Sequence, residues 1–560
     1  MKKIYILILI AFIGTIANAQ NYEWAKSINS GGNSNCLAID ASGNCYISGM
    51  FSSTVDFDPG PGIANLTSMG GGAYDYDIFI AEYDANGNYL WAKGIGGTGT
   101  DGSNCITVDA SGNLYITGLF WGTVDFDPGT GIANLTSIGT QDIYFAKYDV
   151  NGNYIWARNI GSYTGGENCF SIALGNTGNC YITGIFQDST DFDPGPGTVY
   201  LTTAVGNINM YFAKYDSNGN YLWVKQICSA TNDYSYDIAV DGSGNSFITG
   251  TFKNTVDFDP GSGTANLIAV GNDDIFFAKY DANGNYLWAK SIGYYSVDEG
   301  HSIAVDGTGN CYIAGIFDGY PDFDPGSGTA HLQASGSEDV FFAKYDANGN
   351  YLLAKGIGNS HPEGVSNIVI DGSGNSYITG HFEGTVDFDP GIGIVNLSSA
   401  GLWDIYFAKY DGNGNYVWAH NLGSTGNDIS NRIAIDNSGN CYLTGQFIDT
   451  VDFDPGPGTA NLSSTSVNLY YAKYSQTTGI GENNVQPSIN IFPNPTTDNL
   501  SIETTEKVII DILNIEGQII KTINTTDKQT TIDVSNLSSG VYIVKAKTER
   551  GVAVKKFIKE

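Results

Sequence analysis

The pentapeptide Asp-Phe-Asp-Pro-Gly occurs seven times in this 560-residue chain, and successive copies lie 65 to 69 residues apart. The copies begin at Asp56, Asp125, Asp191, Asp257, Asp322, Asp387 and Asp452. A fixed period of this length is typical of a repeat architecture, in which every copy of the unit adopts the same local structure. The fold and the function of most of the chain therefore have to be interpreted from one repeated unit.

Each repeat contains four short segments rich in β-branched and aromatic residues, which predict four antiparallel strands, named a to d in chain order. In the fourth repeat they span residues 237–241, 246–250, 274–281 and 286–290. Turns with Gly or Asn-Gly join a to b and c to d, and both residues tolerate the positive φ of tight hairpins. Seven such units predict an all-β fold, a seven-bladed β-propeller.

The number of d strands predicts how the ring closes. A Trp-Ala-Lys strand d occurs at Trp24, ahead of the first repeat, whereas the seventh repeat ends at Tyr474 without one. We therefore expect residues 22–28 to complete the seventh blade by pairing with residues 468–474. This pairing would hide a sheet edge that could otherwise join another chain. The propeller is expected to span residues 21–474.

The repeat resembles a bacterial β-propeller repeat family whose unit contains Ile-Ala-Val-Asp-x-x-Gly-Asn-x-Tyr-Ile-Thr-Gly. Residues 303–315 (IAVDGTGNCYIAG) illustrate the match, and the likeness covers about residues 22–474. The family motif describes a scaffold and carries no catalytic residue. The resemblance therefore implies a fold rather than an activity.

The N-terminus is typical of a secretory signal peptide over residues 1–19. Lys2 and Lys3 precede an apolar run at residues 4–13, and Ala17-Asn18-Ala19 forms a small-residue cleavage site. A membrane anchor is the alternative, but the apolar run is too short to span a bilayer. Because no later stretch reaches 18 apolar residues, we expect an exported protein with no transmembrane segment.

The C-terminal region departs from the repeat. Residues 475–487 are polar and predict a linker, and residues 488–560 alternate in short β-like runs that predict a small Ig-like β-sandwich. This region resembles the C-terminal sorting domain of the type IX secretion system of Bacteroidetes-type bacteria. The matching positions include Pro493, Asn494, Pro495, Gly517, Gly540, Tyr542, Lys555 and Lys556. The resemblance implies the secretion machinery as a partner and a secreted or cell-surface location; the alternative is an unrelated Ig-like adhesion module.

The formal net charge of −33 predicts a soluble body that repels nucleic acid and anionic lipid. The fourteen aspartates of the pentapeptides, here the loop aspartates, are Asp56, Asp58, Asp125, Asp127, Asp191, Asp193, Asp257, Asp259, Asp322, Asp324, Asp387, Asp389, Asp452 and Asp454. One interpretation is that they accept backbone N–H groups and fix the b–c loops. The other is that they bind calcium, which prefers six to eight oxygen ligands.

A second acidic position lies 24 residues before each pentapeptide, in the d–a connection. Its occupants, here the connection acids, are Asp101, Glu167, Asp233, Asp298, Glu363 and Asp428, while the first repeat has Gly32. Since b–c and d–a connections share one face of a propeller, both carboxylate sets are expected to crowd that face. The Asp-x-Asn-Gly-Asn turns between c and d are expected to be hairpin turns rather than calcium loops.

The eight cysteines permit disulfides in an exported chain, and Cys36/Cys45 and Cys169/Cys180 share a hairpin and so have a local route to a bridge. Free, buried thiols are the favoured interpretation. His301 and His361, near Glu299 and Glu363, are the best general acid–base candidates, although surface roles are favoured for both. The sequence contains no Gly-x-Ser-x-Gly, phosphate-loop or His-Glu-x-x-His motif.

The sequence therefore predicts an exported, monomeric, non-enzymatic propeller without a catalytic residue, with calcium as the one candidate cofactor. Its expected role is binding or adhesion to an unidentified glycan or protein. A polysaccharide-active enzyme that uses loops on one propeller face, and a passive surface scaffold, remain the alternatives.

Overall fold

The computed structural model describes residues 20–29, 32–70, 75–163, 166–204, 206–228, 231–476, 490–503, 509–514, 518–525, 529–548 and 551–560. Contacts divide the chain into two compact units, which separate between Gln476 and Thr477. The expected signal peptide, and the expected linker beyond residue 476, lie outside the described residues. Within the described ranges the regular structure is β-strand, and no helix is long and apolar enough to cross a membrane.

The larger unit contains 38 strands, numbered in chain order. Those up to the end of the third repeat are β1 (Gln20–Ile28), β2 (Ser34–Ile39), β3 (Cys45–Phe51), β4 (Thr54–Asp56), β5 (Asn65–Thr67), β6 (Asp77–Tyr83), β7 (Tyr89–Ile95), β8 (Gly102–Val108), β9 (Leu114–Phe120), β10 (Thr123–Asp125), β11 (Asn134–Thr136), β12 (Asp142–Tyr148), β13 (Tyr154–Ile160), β14 (Asn168–Leu174), β15 (Cys180–Gln187), β16 (Ser189–Asp191), β17 (Tyr200–Thr202), β18 (Ile208–Tyr215) and β19 (Tyr221–Ile227).

Those of the last four repeats are β20 (Tyr234–Val240), β21 (Ser246–Phe252), β22 (Thr255–Asp257), β23 (Asn266–Ile268), β24 (Asp274–Tyr280), β25 (Tyr286–Ile292), β26 (Glu299–Val305), β27 (Cys311–Phe317), β28 (Asp339–Tyr345), β29 (Tyr351–Ile357), β30 (Gly364–Ile370), β31 (Ser376–Phe382), β32 (Thr385–Asp387), β33 (Asn396–Ser398), β34 (Asp404–Tyr410), β35 (Tyr416–Leu422), β36 (Ile429–Ile435), β37 (Cys441–Asp452) and β38 (Asn461–Gln476).

The long strands of residues 20–476 form seven four-stranded antiparallel sheets. In the fourth repeat the order is β20-β21-β24-β25, which is the predicted a-b-c-d order. Strand a there begins three residues earlier than predicted, because a β-bulge at its start lets the pairing continue past Asp237. The a strands β2, β8, β14, β20, β26, β30 and β36 contact one another in this order, and β36 contacts β2 again.

The N-terminal strand completes the seventh sheet, whose order is β1-β38-β37-β36. Trp24 pairs with Lys473 and Ile28 with Leu469, and the ring centroids of Trp24 and Tyr471 lie 5.5 Å apart. The predicted pairing of residues 22–28 with residues 468–474 is confirmed. The chain ends of this unit are therefore held in one sheet.

The core of the larger unit lies between neighbouring sheets. Tyr215, which ends strand c of the third repeat, packs with its ring centroid 4.4 Å from that of Phe145 in the preceding sheet. Its hydroxyl donates to the carbonyl of Phe192, the buried pentapeptide phenylalanine, at 3.0 Å. The equivalent Tyr-to-Phe bond occurs in all seven repeats. The pentapeptide thus anchors each b–c loop to the core.

The smaller unit contains the strands β39 (Asn490–Phe492), β40 (Asn499–Glu503), β41 (Ile509–Leu513), β42 (Ile519–Asn524), β43 (Gln529–Asp533), β44 (Gly540–Thr548) and β45 (Gly551–Lys559). They form a three-stranded and a four-stranded antiparallel sheet. Leu500 and Ile532 from the first sheet and Ile512, Val544 and Phe557 from the second share one apolar core.

Candidate functional site

The loop aspartates are bonded to their own loops. In the fourth repeat, Asp257 Oδ1 accepts the N–H groups of Asp259 and Ala265 at 3.1 and 2.8 Å, and Asp259 Oδ1 accepts that of Gly261 at 2.8 Å. The same three bonds occur in every other repeat. A Cβ atom on Gly263 would lie 2.0 Å from Asp259 Oδ2, so a larger residue there would displace this carboxylate.

This geometry bears on calcium. Two of the four carboxylate oxygens in each loop already accept backbone N–H groups, which leaves far fewer than the six to eight oxygens that calcium prefers. No group of three or more His, Cys, Asp or Glu side chains placed to hold a metal ion occurs among the described residues. The arrangement favours the loop-forming interpretation, and calcium binding stays a prediction.

The connection acids are buried, with 0 to 3 % of their surface exposed, so they do not add to an exposed acidic face. Asp298 accepts the N–H of Tyr294, which follows the fourth sheet, at 2.7 Å and that of Asp318, which follows β27 of the fifth, at 3.0 Å. It therefore links neighbouring sheets. Burial raises the pKa of Asp101 and of Asp298 to about 7, and that of Glu363 to about 8.

A third set of carboxyl groups, which the sequence analysis missed, begins strand c in five repeats: Asp77, Asp142, Asp274, Asp339 and Asp404. Asp404 is buried and accepts the N–H of Ala400 at 3.0 Å. A Cβ atom on Gly423 would lie 2.0 Å from its carboxyl carbon. In the other two repeats, strand c has Asn209 or Asn468 in place of this aspartate, and the glycine after strand d is replaced by Cys228 or Asn29, respectively. The aspartate and the glycine are therefore replaced together, and this correlation is the sequence signal that could have indicated these buried carboxyl groups.

The seven a strands surround a central cavity of about 550 Å³. Toward the a–b turn its wall is apolar in every repeat except at Thr107. At the opposite end, beside the d–a connection, a β-bulge interrupts each a–b pairing. Bulges re-aim a side chain. The bulged residues, here the bulge ring, are Asn35, Asn104, Phe170, Tyr236, His301, Ser366 and Asn431.

The bulge ring carries an aromatic arc, defined as Phe170, Tyr234, Tyr236 and His301. The ring centroid of Tyr236 lies 5.7 Å from that of Phe170, 5.9 Å from that of the stacked Tyr234, and 5.8 Å from that of His301. The arc extends over the third, fourth and fifth sheets, and its side chains are partly exposed. The arc lies on the a strands just before the residues that line the cavity.

A carboxylate and an imidazole border this arc. His301 Nε2 lies 2.9 Å from Glu299 Oε2, and Nδ1 lies 2.9 Å from the carbonyl oxygen of Val365. The side chains of His301 and Glu299 keep 28 % and 26 % of their surface exposed. Of the two predicted acid–base candidates, His301 therefore belongs to the aromatic arc, whereas His361 is an exposed residue bonded to Asn359.

The residue that follows each bulged residue lines the cavity. These seven residues, here the inner ring, are Cys36, Cys105, Ser171, Asp237, Ser302, Asn367 and Arg432. Ser171 and Ser302 donate to the two carboxylate oxygens of Asp237 at 2.7 and 2.9 Å, and Asn367 donates to Ser302 at 3.0 Å. On the other side of this ring, Sγ of Cys36 and Sγ of Cys105 lie 3.4 Å apart. Like the bulge ring, the inner ring is not repeated.

All eight cysteines are free thiols in the structure, and seven are buried. The two predicted hairpin pairs are not opposite each other: Cys36 pairs with Ser48 and Cys45 with Ile39, while Cys169 pairs with Gly184. The one close Sγ–Sγ contact among the described residues joins Cys36 to Cys105 of the next repeat, which sequence spacing did not indicate.

The predicted sorting residues lie on three elements of the smaller unit. Asn494, between the exposed Pro493 and Pro495, donates to the carbonyl of Lys556 at 3.1 Å. Gly540 begins β44, and Tyr542 stacks on Phe557 at 5.5 Å and donates to the carbonyl of Ser538. Lys555 and Lys556 are exposed on β45. Gly517 lies outside the described residues.

Two family matches agree with the sequence predictions. Residues 490–560 match the family described as the secretion system C-terminal sorting domain, and residues 222–251 match the family described as a beta-propeller repeat. The second match covers β20 and most of β21, the first two strands of the fourth sheet. Both predicted resemblances are confirmed.

Curated relatives are more distant. The chain is 25 % identical, over 78 % of its own length and 37 % of the relative, to the uncharacterized WD repeat-containing protein L264 of Acanthamoeba polyphaga mimivirus. It is 26 % identical to regulatory protein FlaEY of Caulobacter vibrioides over 30 % of this chain and 17 % of that protein. The chain thus spans well under half the length of both.

Solved structures align with TM-scores too low to carry an argument. Sqt1 from Chaetomium thermophilum gives 0.35 at 10 % identity, covering 82 % of this chain and all of that one. PorZ, a surface component of the type IX secretion system of Porphyromonas gingivalis, gives 0.16 at 11 % identity, covering 96 % and 100 %. The family matches show that the chain carries a β-propeller repeat and a C-terminal sorting domain, and the sorting domain implies type IX secretion to the cell surface or the medium.

Proposed function

We propose that the protein is an exported, monomeric, non-enzymatic seven-bladed β-propeller that binds a glycan at the bulge-ring end of its central cavity. Each four-stranded sheet is one blade in this proposal, and the smaller unit is an Ig-like sorting domain. The observation that carries the proposal is the aromatic arc, because it clusters partly exposed aromatic rings at positions that differ between the repeats. Where seven repeats share one fold, residues that differ between them are free of the scaffold's constraints.

The arc suits a sugar. Binding sites combine aromatic and apolar surface with a few placed polar groups, and here His301 lies edge-to-face against Tyr236 and is bonded to Glu299. Ring faces can cover the C–H surface of a sugar, while the carboxylate and imidazole bond its hydroxyl groups. A protein ligand that presents apolar side chains to the same arc is the alternative.

A glycan array with the mature full-length protein tests the proposal. Binding should fall by about tenfold or more when Phe170 and Tyr236 are both changed to Ala, since central aromatic residues carry much of the energy of an interface. Tyr163→Ala is the matched control, because Tyr163 is 87 % exposed and outside the arc. Equal binding by the double variant and the control would reject the arc as the site, and the absence of any glycan ligand would favour a protein ligand or a passive scaffold.

A polysaccharide-active enzyme is the second candidate, and the Glu299–His301 pair is the observation that favours it. Glycoside hydrolysis ordinarily needs two carboxyl groups across the scissile bond, and Glu299, bonded to His301, supplies one. Release of reducing sugar from a polysaccharide panel, lost in Glu299→Gln, would establish the enzyme and replace the binding proposal.

A further inference from the structure

The inner ring contains two thiols in direct contact. Sγ of Cys36 and Sγ of Cys105 lie 3.4 Å apart, and the two residues are 3 % and 6 % exposed. They occupy the same position on β2 and β8, the neighbouring a strands of the first two repeats. Both border the central cavity, which gives small molecules a route to them. The remaining five repeats have no thiol at this position.

The surroundings of this pair activate one of the two thiols. The hydrogen bond between Cys36 and Cys105, together with the nearby Arg432 guanidinium, lowers the pKa of Cys36 below its ordinary value despite its burial. The pKa of Cys105 is raised, first by that same bond and then by burial. By contrast, burial raises the pKa of Cys169 to about 11 and that of Cys180 to about 12. A thiolate is the nucleophile in disulfide exchange.

We propose that Cys36 and Cys105 form a disulfide in the exported protein, which joins the first and second sheets at the cavity wall. The contact between the two sulfur atoms carries this inference. Their separation of 3.4 Å must shorten to the bond length of about 2.05 Å. Exported proteins meet conditions in which disulfides persist.

The reaction needs one oxidant, which is the disulfide form of a small thiol or of a thiol oxidase. The Cys36 thiolate attacks one sulfur of that disulfide, forms a mixed disulfide and releases the first thiolate. Cys105 gives up its proton, attacks Cys36 Sγ and displaces the second thiolate. The protein dithiol loses two electrons and two protons, and the oxidant is reduced to two thiols.

Peptide mapping of the full-length protein collected from the medium or the cell surface tests the bridge. The protein is denatured in excess N-ethylmaleimide without a reductant and digested. We expect a cross-linked peptide pair that contains Cys36 and Cys105 and is lighter by two hydrogen atoms than the two separate peptides. The other six cysteines should carry the label.

Variants make the assignment specific. Cys36→Ser should abolish the cross-link and leave Cys105 labelled, whereas Cys45→Ser, on the same hairpin, should leave the cross-link intact. Complete labelling of both Cys36 and Cys105, even after exposure of the native protein to oxidised glutathione, would overturn the proposal. A cross-link from Cys36 to Cys45 would overturn it as well.

Discussion

The loop aspartates and the bulge ring belong to the same seven repeats, yet they differ in how strictly the repeats agree. Asp257 and its six counterparts keep the same residue and the same backbone partners. The bulge ring has the same backbone irregularity in each repeat, but its side chains range from Ser366 to Tyr236. Identity in every copy marks a part that the scaffold needs, and divergence on a constant backbone marks a part that the scaffold does not constrain.

The largest effect should come from breaking the scaffold where it closes. Deletion of residues 20–28 removes β1 and exposes the edge of β38, so we expect loss of the cooperative unfolding transition and rapid proteolysis. Circular dichroism melting and limited trypsin digestion measure both. Glu23→Gln, at an exposed position on the same strand, is the control and should melt like the natural protein. A deletion variant that melts normally would show that β1 is dispensable.

The second-largest effect should distinguish the buried connection acids from the loop aspartates. Asp298→Asn keeps one acceptor oxygen but turns an amide toward a backbone N–H, so the free energy of unfolding should fall by about 1 to 3 kcal/mol. Asp259→Asn keeps an oxygen that accepts the N–H of Gly261, so the free energy of unfolding should change by less than about 0.5 kcal/mol. Urea unfolding of the two variants side by side measures the difference. Equal losses would contradict the distinction between the two sets.

The same buried acids predict a pH dependence. The pKa is raised by burial to about 6 in Asp77 and Asp404, and to about 7 in Asp101 and Asp298. Neutral forms are therefore favoured in the folded state. Their contribution is fully present below the unfolded pKa of about 4 and is lost as pH rises through 6 to 8.

Melting temperatures at fixed ionic strength should therefore fall from pH 5 to pH 8, and the fall should be smaller in Asp298→Asn. High salt screens the exposed charges but not the buried ones, so the trend should persist in high salt. A melting temperature that rises over this interval would contradict the assignment.

The smallest expected effect concerns cations. Because the loop aspartates already accept backbone N–H groups, calcium and magnesium at equal concentration should raise the melting temperature alike by screening the charge of −33. A specific site would instead add about 2.7 kcal/mol at a hundredfold excess over Kd. A larger shift with calcium alone, reduced in Asp259→Asn, would establish the calcium interpretation.

The sequence was sufficient for features that every repeat shares. The turns, the strand order and the packing of Trp24 against Tyr471 follow from local patterns counted seven times. Repetition does not reveal the aromatic arc, because its residues differ from one repeat to the next. Phe170, Tyr236 and His301 occupy one aligned position, and of these His301 alone was indicated by the sequence, as an acid–base candidate.

Burial of the connection acids could not be predicted for another reason. An acidic residue in a loop is ordinarily exposed, and the sequence does not reveal that the N–H groups accepted by Asp298 come from two different sheets. The Cys36–Cys105 contact could not be predicted from the sequence either, because it depends on how closely neighbouring a strands approach one another. Both are properties of packing between sheets rather than of strands within them.

The pairing of β1 with β38 also determines the order in which parts of the larger unit can fold during synthesis. The bond from Ser475 to Glu23 joins residues 452 positions apart, so β1 is synthesised first and must wait for almost the whole unit before its partner exists. Six sheets can form as their repeats emerge, because each uses only its own strands. The seventh becomes complete at residue 476, shortly before the matched sorting segment begins at residue 490. Closure of the ring is thus the last step in forming the larger unit. The C-terminal sorting segment is synthesised only after every strand that this closure needs.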